Sequence, residues 1–183
     1  MKKERKGMYM IFFKKKIKKR AVLMKVGEEE IENGYPYGII EPLWWSVVIY
    51  EGEEKYNKDL QPFSLPQRYI LAIEWYISEV NNGGHSQFFF NSTGIVWKDA
   101  LEGLKVIQHK EAYEVLEEAT NLFQTSPSMN RTERIKQMDD LNLDFDELDT
   151  RFYKISDLDK SIMEYIKRNK EQFYFNGKVK KGF

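Results

Sequence analysis

Apolar side chains recur from Pro42 onward with a period close to 3.6 residues, which is the period of an amphipathic α-helix. The clearest stretch runs from Tyr69 to Val80, where apolar residues fall at i, i+4, i+7, i+8 and i+11. Ahead of this stretch, Ser64 and Gln67 have the spacing of a capping box. We therefore predict a helix that starts near Ser64 and ends at the Asn-Asn-Gly-Gly turn.

Comparable apolar stripes predict the other helices, whereas the strict alternation that is typical of strands is scarce. We predict an all-α fold: an irregular single-domain bundle of about six to eight helices, with no sheet of more than two short strands. The other helices are predicted from Pro42 to a stop at Gly52, and over residues 97–107, 112–123, 132–141, 145–153 and 157–167.

Charge divides the chain, although the net charge of all 183 residues is zero. Residues 1–20 hold ten Lys and Arg against one Glu, so the remainder is acidic. We predict a poorly ordered basic N-terminal arm over residues 1–25, a helical domain over 26–177 and a basic C-terminal tail over 178–183. The polar, turn-rich stretch Val26–Gly38 is predicted to be a linker or an irregular lead-in to the domain.

Composition excludes several classes of function. The chain has no cysteine, which excludes disulfides, thiolate metal sites and cysteine nucleophiles and is typical of a reducing compartment. Met8–Phe13 is the apolar run of the arm, and its six residues are too few for a transmembrane span or a secretory core. We expect a cytoplasmic protein with no transmembrane segment.

Candidate metal and catalytic motifs are weak. The spacing of Asp140, Asn142, Asp144 and Asp146 is similar to a calcium loop, but the positions that need glycine and glutamate hold Phe145 and Arg151. Only two histidines exist, and no nucleophile elbow, phosphate loop or dinucleotide fingerprint is present. We expect no metal, no cofactor and no catalytic residues.

Residues 79–92, EVNNGGHSQFFFNS, form the most distinctive segment of the chain. Adjacent glycines permit a sharp turn, and the neighbouring amides need hydrogen-bond partners if they are buried. One interpretation is a structural network in which Glu79, Asn82, Gln87 and Asn91 join across the turn. The other is a ligand or partner site. Both draw on the same candidate residues, Glu79, Asn81, Asn82, Gly83, Gly84, Gln87, Phe90 and Asn91.

Acidic residues are concentrated in the second half of the chain. Between Glu111 and Lys160, thirteen acids face six basic residues. Carboxylates arranged along helices can imitate DNA phosphates and attract a basic groove, or they can form an ordinary solvated face. The candidate partner surface consists of Glu114, Glu117, Glu118, Asp139, Asp140, Asp144, Asp146, Glu147 and Asp149.

The run from Glu41-Pro42-Leu43-Trp44 through Arg68, EVNNGG and QFFFNS to about Phe123 resembles the DNA-mimic-protein-like family. This is a bacterial family otherwise labelled as a domain of unknown function. A weaker similarity continues to Phe175. The resemblance implies a dimeric acidic protein that occupies the DNA-binding site of a transcription factor.

From the resemblance we expect a non-enzymatic, protein-binding domain that regulates transcription, forms a homodimer and binds a basic, nucleic-acid-binding protein. The folded body is expected not to bind DNA itself, because its charge repels phosphates. The alternative is an immunity-type or antitoxin-like protein whose acidic face blocks a basic toxin such as a nuclease. A third interpretation is an enzyme that acts at the EVNNGG turn.

Overall fold

A computed structural model describes residues 19–182 of the chain. These residues form nine α-helices, two short 3-10 helices and a two-stranded sheet, so the fold is mainly helical but not purely so. The number of helices exceeds the predicted range. The elements are β1 Lys19–Val26, α1 Glu28–Asn33, α2 Pro36–Ser46, α3 Glu53–Leu60, α4 Leu65–Phe90, α5 Trp97–Val106, α6 Lys110–Asn121, α7 Arg131–Leu141, α8 Asp146–Phe152, α9 Leu158–Arg168 and β2 Phe175–Gly182, with 3-10 turns at Ser92–Val96 and Lys170–Gln172.

Helix α4 is the central element, and its predicted start is confirmed. The Ser64 hydroxyl accepts a hydrogen bond from the Gln67 backbone N–H, and the Gln67 side chain accepts one from the Ser64 backbone N–H. This reciprocal pair satisfies backbone donors that the helix itself leaves unpaired. Three residues of the predicted stripe are buried (Ile73, Tyr76 and Val80), and the other two, Tyr69 and Ile77, are partly buried. Helices α2, α5, α7 and α8 pack around α4.

The predicted end of this helix is displaced, because the chain kinks at the double glycine and then resumes a helical path to Phe90. Gly83 has φ −164° and ψ 30°, and Gly84 has φ 71° and ψ −178°. The positive φ of Gly84 is accessible to glycine without the strain that a Cβ would bring. The kink directs the QFFFN segment into the core, where Phe88 and Phe89 are fully buried.

Aromatic rings fill the space behind this kink. The Phe89 ring lies 4.9 Å from Phe123 and 5.6 Å from Phe145, measured between ring centroids. The Tyr76 ring lies 5.1 Å from that of Phe152. The core therefore joins α4 to the segment around α8, and it holds these elements in fixed positions.

The prediction that residues 26–38 form a linker or an irregular lead-in is wrong, because these residues contain α1 and the start of α2. The Glu30 carboxylate accepts a hydrogen bond from the Gly27 backbone N–H at 2.7 Å, which caps α1, and Ile31 is buried. Pro36 occupies the first turn of α2, a position that suits proline.

The helix predicted from Pro42 to Gly52 is wrong at both ends, because Pro42 lies inside α2, which ends at Ser46, and Gly52 precedes α3. Glu53 and Glu54 lie in the first turn of α3, where the helix dipole favours acidic side chains.

The two ends of the described chain pair with each other. Strands β1 and β2 are antiparallel, in a register that runs from Lys19 opposite Gly182 to Val26 opposite Phe175. Residues 19–25, which the sequence assigned to the arm, therefore belong to a sheet, as do residues 178–182 of the tail. The rest of the arm, residues 1–18, lies outside the described residues. No helix among residues 19–182 has the length and apolarity of a membrane span.

Candidate functional site

Glu79 is the hub of a hydrogen-bond network across the kink. Its Oε2 accepts hydrogen bonds from Gln87 Nε2 at 2.7 Å and from Asn91 Nδ2 at 2.8 Å, and its Oε1 accepts one from Thr93 Oγ1 at 2.8 Å. Three donors around one half-buried carboxylate satisfy both oxygens. The network thus joins the first part of α4 to its second part and to the 3-10 turn that follows.

The predicted participation of Asn82 in this network is wrong. Asn81 and Asn82 are exposed and lie in α4 before the kink. No hydrogen bond joins the Asn82 side chain to another residue of the described chain. Asn81 instead lines a shallow cavity of about 250 Å³ beside Tyr153. The two glycines make the turn, and the asparagines are not needed for it.

The second part of the kink is closed by a residue from α8. The backbone N–H of His85 donates to Asp149 Oδ1 at 2.8 Å, and His85 Nδ1 lies 2.5 Å from the same oxygen. On the other side of the imidazole, Nε2 lies 2.8 Å from the Tyr76 hydroxyl. A Cβ added to Gly84 would lie 2.1 Å from Asp149 Oδ2, so the carboxylate occupies space that only glycine leaves free.

The protonation of this chain of groups follows from burial. Burial lowers the pKa of His85, while its contact with Asp149 opposes the shift, and burial raises the pKa of the Tyr76 phenol well above its usual value. A neutral imidazole then donates a hydrogen bond from Nδ1 to Asp149 and accepts one at Nε2 from the Tyr76 hydroxyl. The connectivity matches a proton relay, but His85 and Tyr76 are both 0% exposed. These groups therefore stabilise the kink and do not face a substrate-sized opening.

Asp149 was predicted as part of the acidic partner surface, and the structure gives it a different position. Its side chain is 18% exposed, and its carboxylate is directed at His85. The sequence carries no signal for this contact, because the two residues are 64 positions apart. Asp149 fixes α8 against α4 and supports the neighbouring acids without joining them at the surface.

A buried arginine holds the end of α4. Arg134 of α7 is 0% exposed, and its guanidinium donates to the backbone carbonyls of Phe89 at 2.7 Å, Ser128 at 2.6 Å and Asn91 at 2.7 Å. Two of these carbonyls belong to the C-terminal end of α4, where the helix dipole favours a cation. Burial, followed by the charge of Arg131, lowers the pKa of Arg134 to about 10, so it remains charged at neutral pH.

Phe90 and Arg131 form the exposed edge of the same junction. The Arg131 Nε donates to the Phe90 carbonyl at 2.7 Å, and its guanidinium lies 4.7 Å from the centroid of the Phe90 ring. The Phe90 side chain is 49% exposed. The FFF run therefore has two roles: Phe88 and Phe89 fill the core, and Phe90 supports an arginine at the surface.

Five of the predicted acids meet where α7 leads into α8. Asp139 and Asp140 lie in the last turn of α7, Asp144 lies in the connecting loop, and Asp146 and Glu147 begin α8. All five are exposed, and we refer to them as the acidic corner. No Lys or Arg occurs from Gln137 to Thr150, and Asp140 is paired with Lys136 one turn earlier.

The predicted acids of α6 are in a different electrostatic setting. Glu118 receives both guanidinium arms of Arg151, at 2.5 and 2.9 Å, and this pairing lowers the pKa of Glu118. Glu117 accepts a hydrogen bond from the Tyr113 hydroxyl at 2.5 Å, and Glu114 lies 3.4 Å from Lys110 Nζ. Nearby partners thus offset the charge on α6, whereas four of the five acids in the acidic corner have no ion-pair partner among the described residues.

The described part of the chain holds no group of three His, Cys, Asp or Glu residues that could bind a metal ion.

The sequence did not predict three residues that build the site: Thr93, Arg134, and Tyr76 in its contact with His85. The contacts of Tyr76 and Thr93 cross the kink, and Arg134 bonds to residues 43 and 45 positions away, so helical spacing gave no signal for these three residues.

The chain matches the model of a known family. The family described as DMP19-like protein matches residues 61–169, which is more than half of the chain. The matched range contains α4 to α9, and hence the kink and the acidic corner, while Glu41–Trp44 and both strands lie outside it. Neither curated proteins nor solved structures gave a match.

Proposed function

The chain belongs to the DMP19-like protein family, and from that premise we propose that it acts as a DNA mimic. In this proposal the acidic corner enters the DNA-binding site of a basic, nucleic-acid-binding protein, such as a transcription factor, and excludes DNA from it. The protein then acts by binding and catalyses no reaction.

The observation that carries the proposal is the charge distribution of the acidic corner. Five exposed carboxylates lie within residues 139–147, and the surrounding stretch from Gln137 to Thr150 contains no Lys or Arg. Such a predominantly acidic surface attracts a basic groove and raises the rate of encounter with it. Duplex DNA is the main natural ligand of such grooves, because it carries one negative charge per about 1.7 Å of its axis.

The support beneath the acidic corner favours a binding role. Arg134 fixes α7 to the end of α4, and Asp149 fixes α8 to the kink of α4. The acids therefore lie on two helices, each tied to the central helix, and on the short loop between them. A charged surface held in one conformation loses less conformational entropy when it binds a partner.

The test is capture of the partner followed by competition with DNA. Full-length protein is immobilised and exposed to lysate of its own cells at low salt, and proteins that elute with salt are identified and purified. For a DNA mimic, duplex DNA bound by the captured protein must displace it from the immobilised chain. We expect this displacement, with capture that weakens steeply as salt rises, because exposed charges are screened over about 8 Å at physiological ionic strength.

A matched pair of variants tests whether the acidic corner is the surface that contacts the partner. One variant neutralises the acidic corner through D139N, D140N, D144N, D146N and E147Q; Asn at 144 keeps a side-chain oxygen for the Asp146 backbone N–H. The control neutralises five exposed acids on other elements through E29Q, E51Q, E53Q, E54Q and E171Q. We expect the first variant to lose capture about tenfold or more and the control to keep it.

Two outcomes would contradict the proposal. Equal capture by both variants would show that the acidic corner is not the contact surface. Capture that duplex DNA cannot reverse would show that the partner is bound outside its DNA site, as an antitoxin-like protein could bind a toxin.

A further inference from the structure

The sheet formed by β1 and β2 is basic throughout. Its two strands contain six Lys and Arg residues and no Asp or Glu. We call this sheet the basic ribbon; its basic residues are Lys19, Arg20, Lys25, Lys178, Lys180 and Lys181. The chain continues from β1 into residues 1–18, which contain eight more Lys and Arg and one Glu.

One face of the basic ribbon is anchored to the helical body. Val26 and Val179 are buried, and the Phe175 ring stacks on Phe63 with 6.2 Å between centroids. Lys181 bonds to Glu41 on α2, and its Nζ lies 5.3 Å from the centroid of Trp45. The ribbon is therefore a fixed part of the fold, and its inner face is occupied.

No element of the described chain covers the outer face, which carries three lysines of the ribbon. Side chains alternate between the faces of a strand, and directly opposed residues share a face. The register places Leu23 opposite Lys178 and Ala21 opposite Lys180, with Lys25 opposite Asn176. All six of these residues are exposed, and the three lysines have no ion pair among the described residues.

We propose that the outer face of the basic ribbon binds duplex DNA through its phosphates. A two-stranded antiparallel ribbon has the size that the major groove of B-DNA admits. Lys178 and Lys180 lie two residues apart on one strand, so they share the outer face and their Cα atoms are about 7 Å apart. Charge complementarity with a polyanion is the basis of the contact.

The composition of the outer face favours DNA over an anionic membrane. A surface element that inserts into lipid needs a broad apolar face beside its charges, whereas charges alone are attracted to the phosphates of lipid and DNA alike. Here Leu23, which is 68% exposed, is the one large apolar side chain of that face. The remaining positions are small or polar, so insertion into lipid would bury little apolar area.

This proposal goes beyond the DNA-mimic function and concerns different elements of the fold. The prediction that the folded body does not bind DNA assumed that residues 1–25 form a separate arm. The structure places residues 19–26 in the fold and pairs them with β2, so the body contains a basic surface as well as an acidic one. A protein with both surfaces can remain on DNA while its acidic corner engages a DNA-binding partner.

The test measures binding of full-length protein to a fluorescent duplex oligonucleotide by anisotropy over a range of salt concentrations. The ribbon variant is K25Q, K178Q and K180Q, and the control is K58Q, K105Q and K154Q, which removes the same charge from exposed helical or loop positions. We expect the ribbon variant to bind about tenfold more weakly, with a slope of log K against log salt that is smaller by about three. We expect the control to change affinity less than about twofold.

A second variant, K25R, K178R and K180R, keeps the charges and should restore binding, which separates charge from folding. Full binding by the ribbon variant would overturn the proposal and assign any DNA contact to residues 1–18. Equal weakening in the ribbon variant and the control would also overturn it, since only the overall charge would then matter. Vesicles that contain phosphatidylserine are the parallel probe, and binding to them without binding to DNA would replace DNA by a membrane surface.

Neutralising the acidic corner separates this proposal from the DNA-mimic function. That variant should bind the duplex as tightly as the unmodified chain or more tightly, because it removes repulsion from phosphates. Weaker DNA binding after this change would contradict a site on the basic ribbon.

Discussion

The Asp149 carboxylate fills the space that Gly84 leaves by having no side chain. A Cβ at position 84 would lie 2.1 Å from Asp149 Oδ2, and Gly84 has φ 71° and ψ −178°. This close approach lets Asp149 accept hydrogen bonds from both the backbone and the ring of His85. The glycine therefore serves the kink twice, through its backbone conformation and through its lack of volume.

Replacing Gly84 by alanine should destabilise the protein by more than backbone strain alone. Gly52 provides the control, since it has φ 91° and ψ 175° and no atom within 4 Å of an added Cβ. Gly52→Ala should cost about 1–3 kcal/mol from strain, and Gly84→Ala should cost at least about 2 kcal/mol more. Urea unfolding of both variants measures the difference in the free energy of unfolding.

A double variant shows where the extra cost of Gly84→Ala arises. Asp149→Ala removes the carboxylate that an added Cβ would strike, so the two substitutions should be non-additive in a double-mutant cycle. Additive costs would mean that the contact between these two residues is not the cause.

The amides of the EVNNGG…FFFN segment should differ sharply in their effect on stability. Asn91→Ala removes a hydrogen bond to Glu79 and should lower the free energy of unfolding by about 1–3 kcal/mol. Asn82 is exposed, and Asn82→Ala should change stability by less than about 0.5 kcal/mol. Thermal melts of the two variants provide the comparison. An Asn82→Ala variant with a normal melt but lost partner capture would restore the ligand-site interpretation of this turn.

Arg134 and Arg131 offer a matched pair on one helix. Arg134→Lys keeps the charge, but a single ammonium group cannot bond to all three carbonyls that the guanidinium reaches. The substitution should therefore lower the free energy of unfolding by about 3 kcal/mol or more. Arg131→Lys affects an exposed arginine with one carbonyl contact and should cost less than about 1 kcal/mol. Chemical denaturation of both variants measures the two losses. Equal losses would contradict the claim that Arg134, and not Arg131, anchors α7 to α4.

Glu74 should make stability depend on pH in a defined window. Burial of Glu74 and the nearby charge of Asp159 raise the pKa of its carboxyl from 4.5 to about 7. The folded protein then binds more protons than the unfolded chain between these values, so the contribution of Glu74 to stability is lost as pH rises through about 7.

Glu74→Gln removes this titration. The free energy of unfolding of Glu74→Gln, relative to that of the unmodified chain, should rise by about 1–3 kcal/mol from pH 4.5 to pH 8, after allowance for partial solvent screening. Urea unfolding at the two pH values checks this, with Glu102→Gln, which alters an exposed acid of α5, as the control. A gain that did not change with pH would show that Glu74 is ionised in the fold like an ordinary surface acid.

Some features of this protein were determined by local sequence. The start of α4 follows from a capping box between Ser64 and Gln67, and its inward face follows from apolar spacing. Gln87 and Asn91 could be paired with Glu79 because the double glycine bends the chain between them. These interactions join residues close in the chain, so spacing and turn chemistry carry the information.

Tertiary structure alone decided the rest. The strand Lys19–Val26 contains the run Ala-Val-Leu-Met, which shows no alternation, and it is a strand because β2 pairs with it from the other end of the chain. Asp149 belongs with His85 and not with the surface acids, because α8 packs against the kink of α4. The sequence supplied the acidic and basic residues. Contacts between residues far apart in the chain decided which of these charged residues stabilise the fold and which are exposed to a partner.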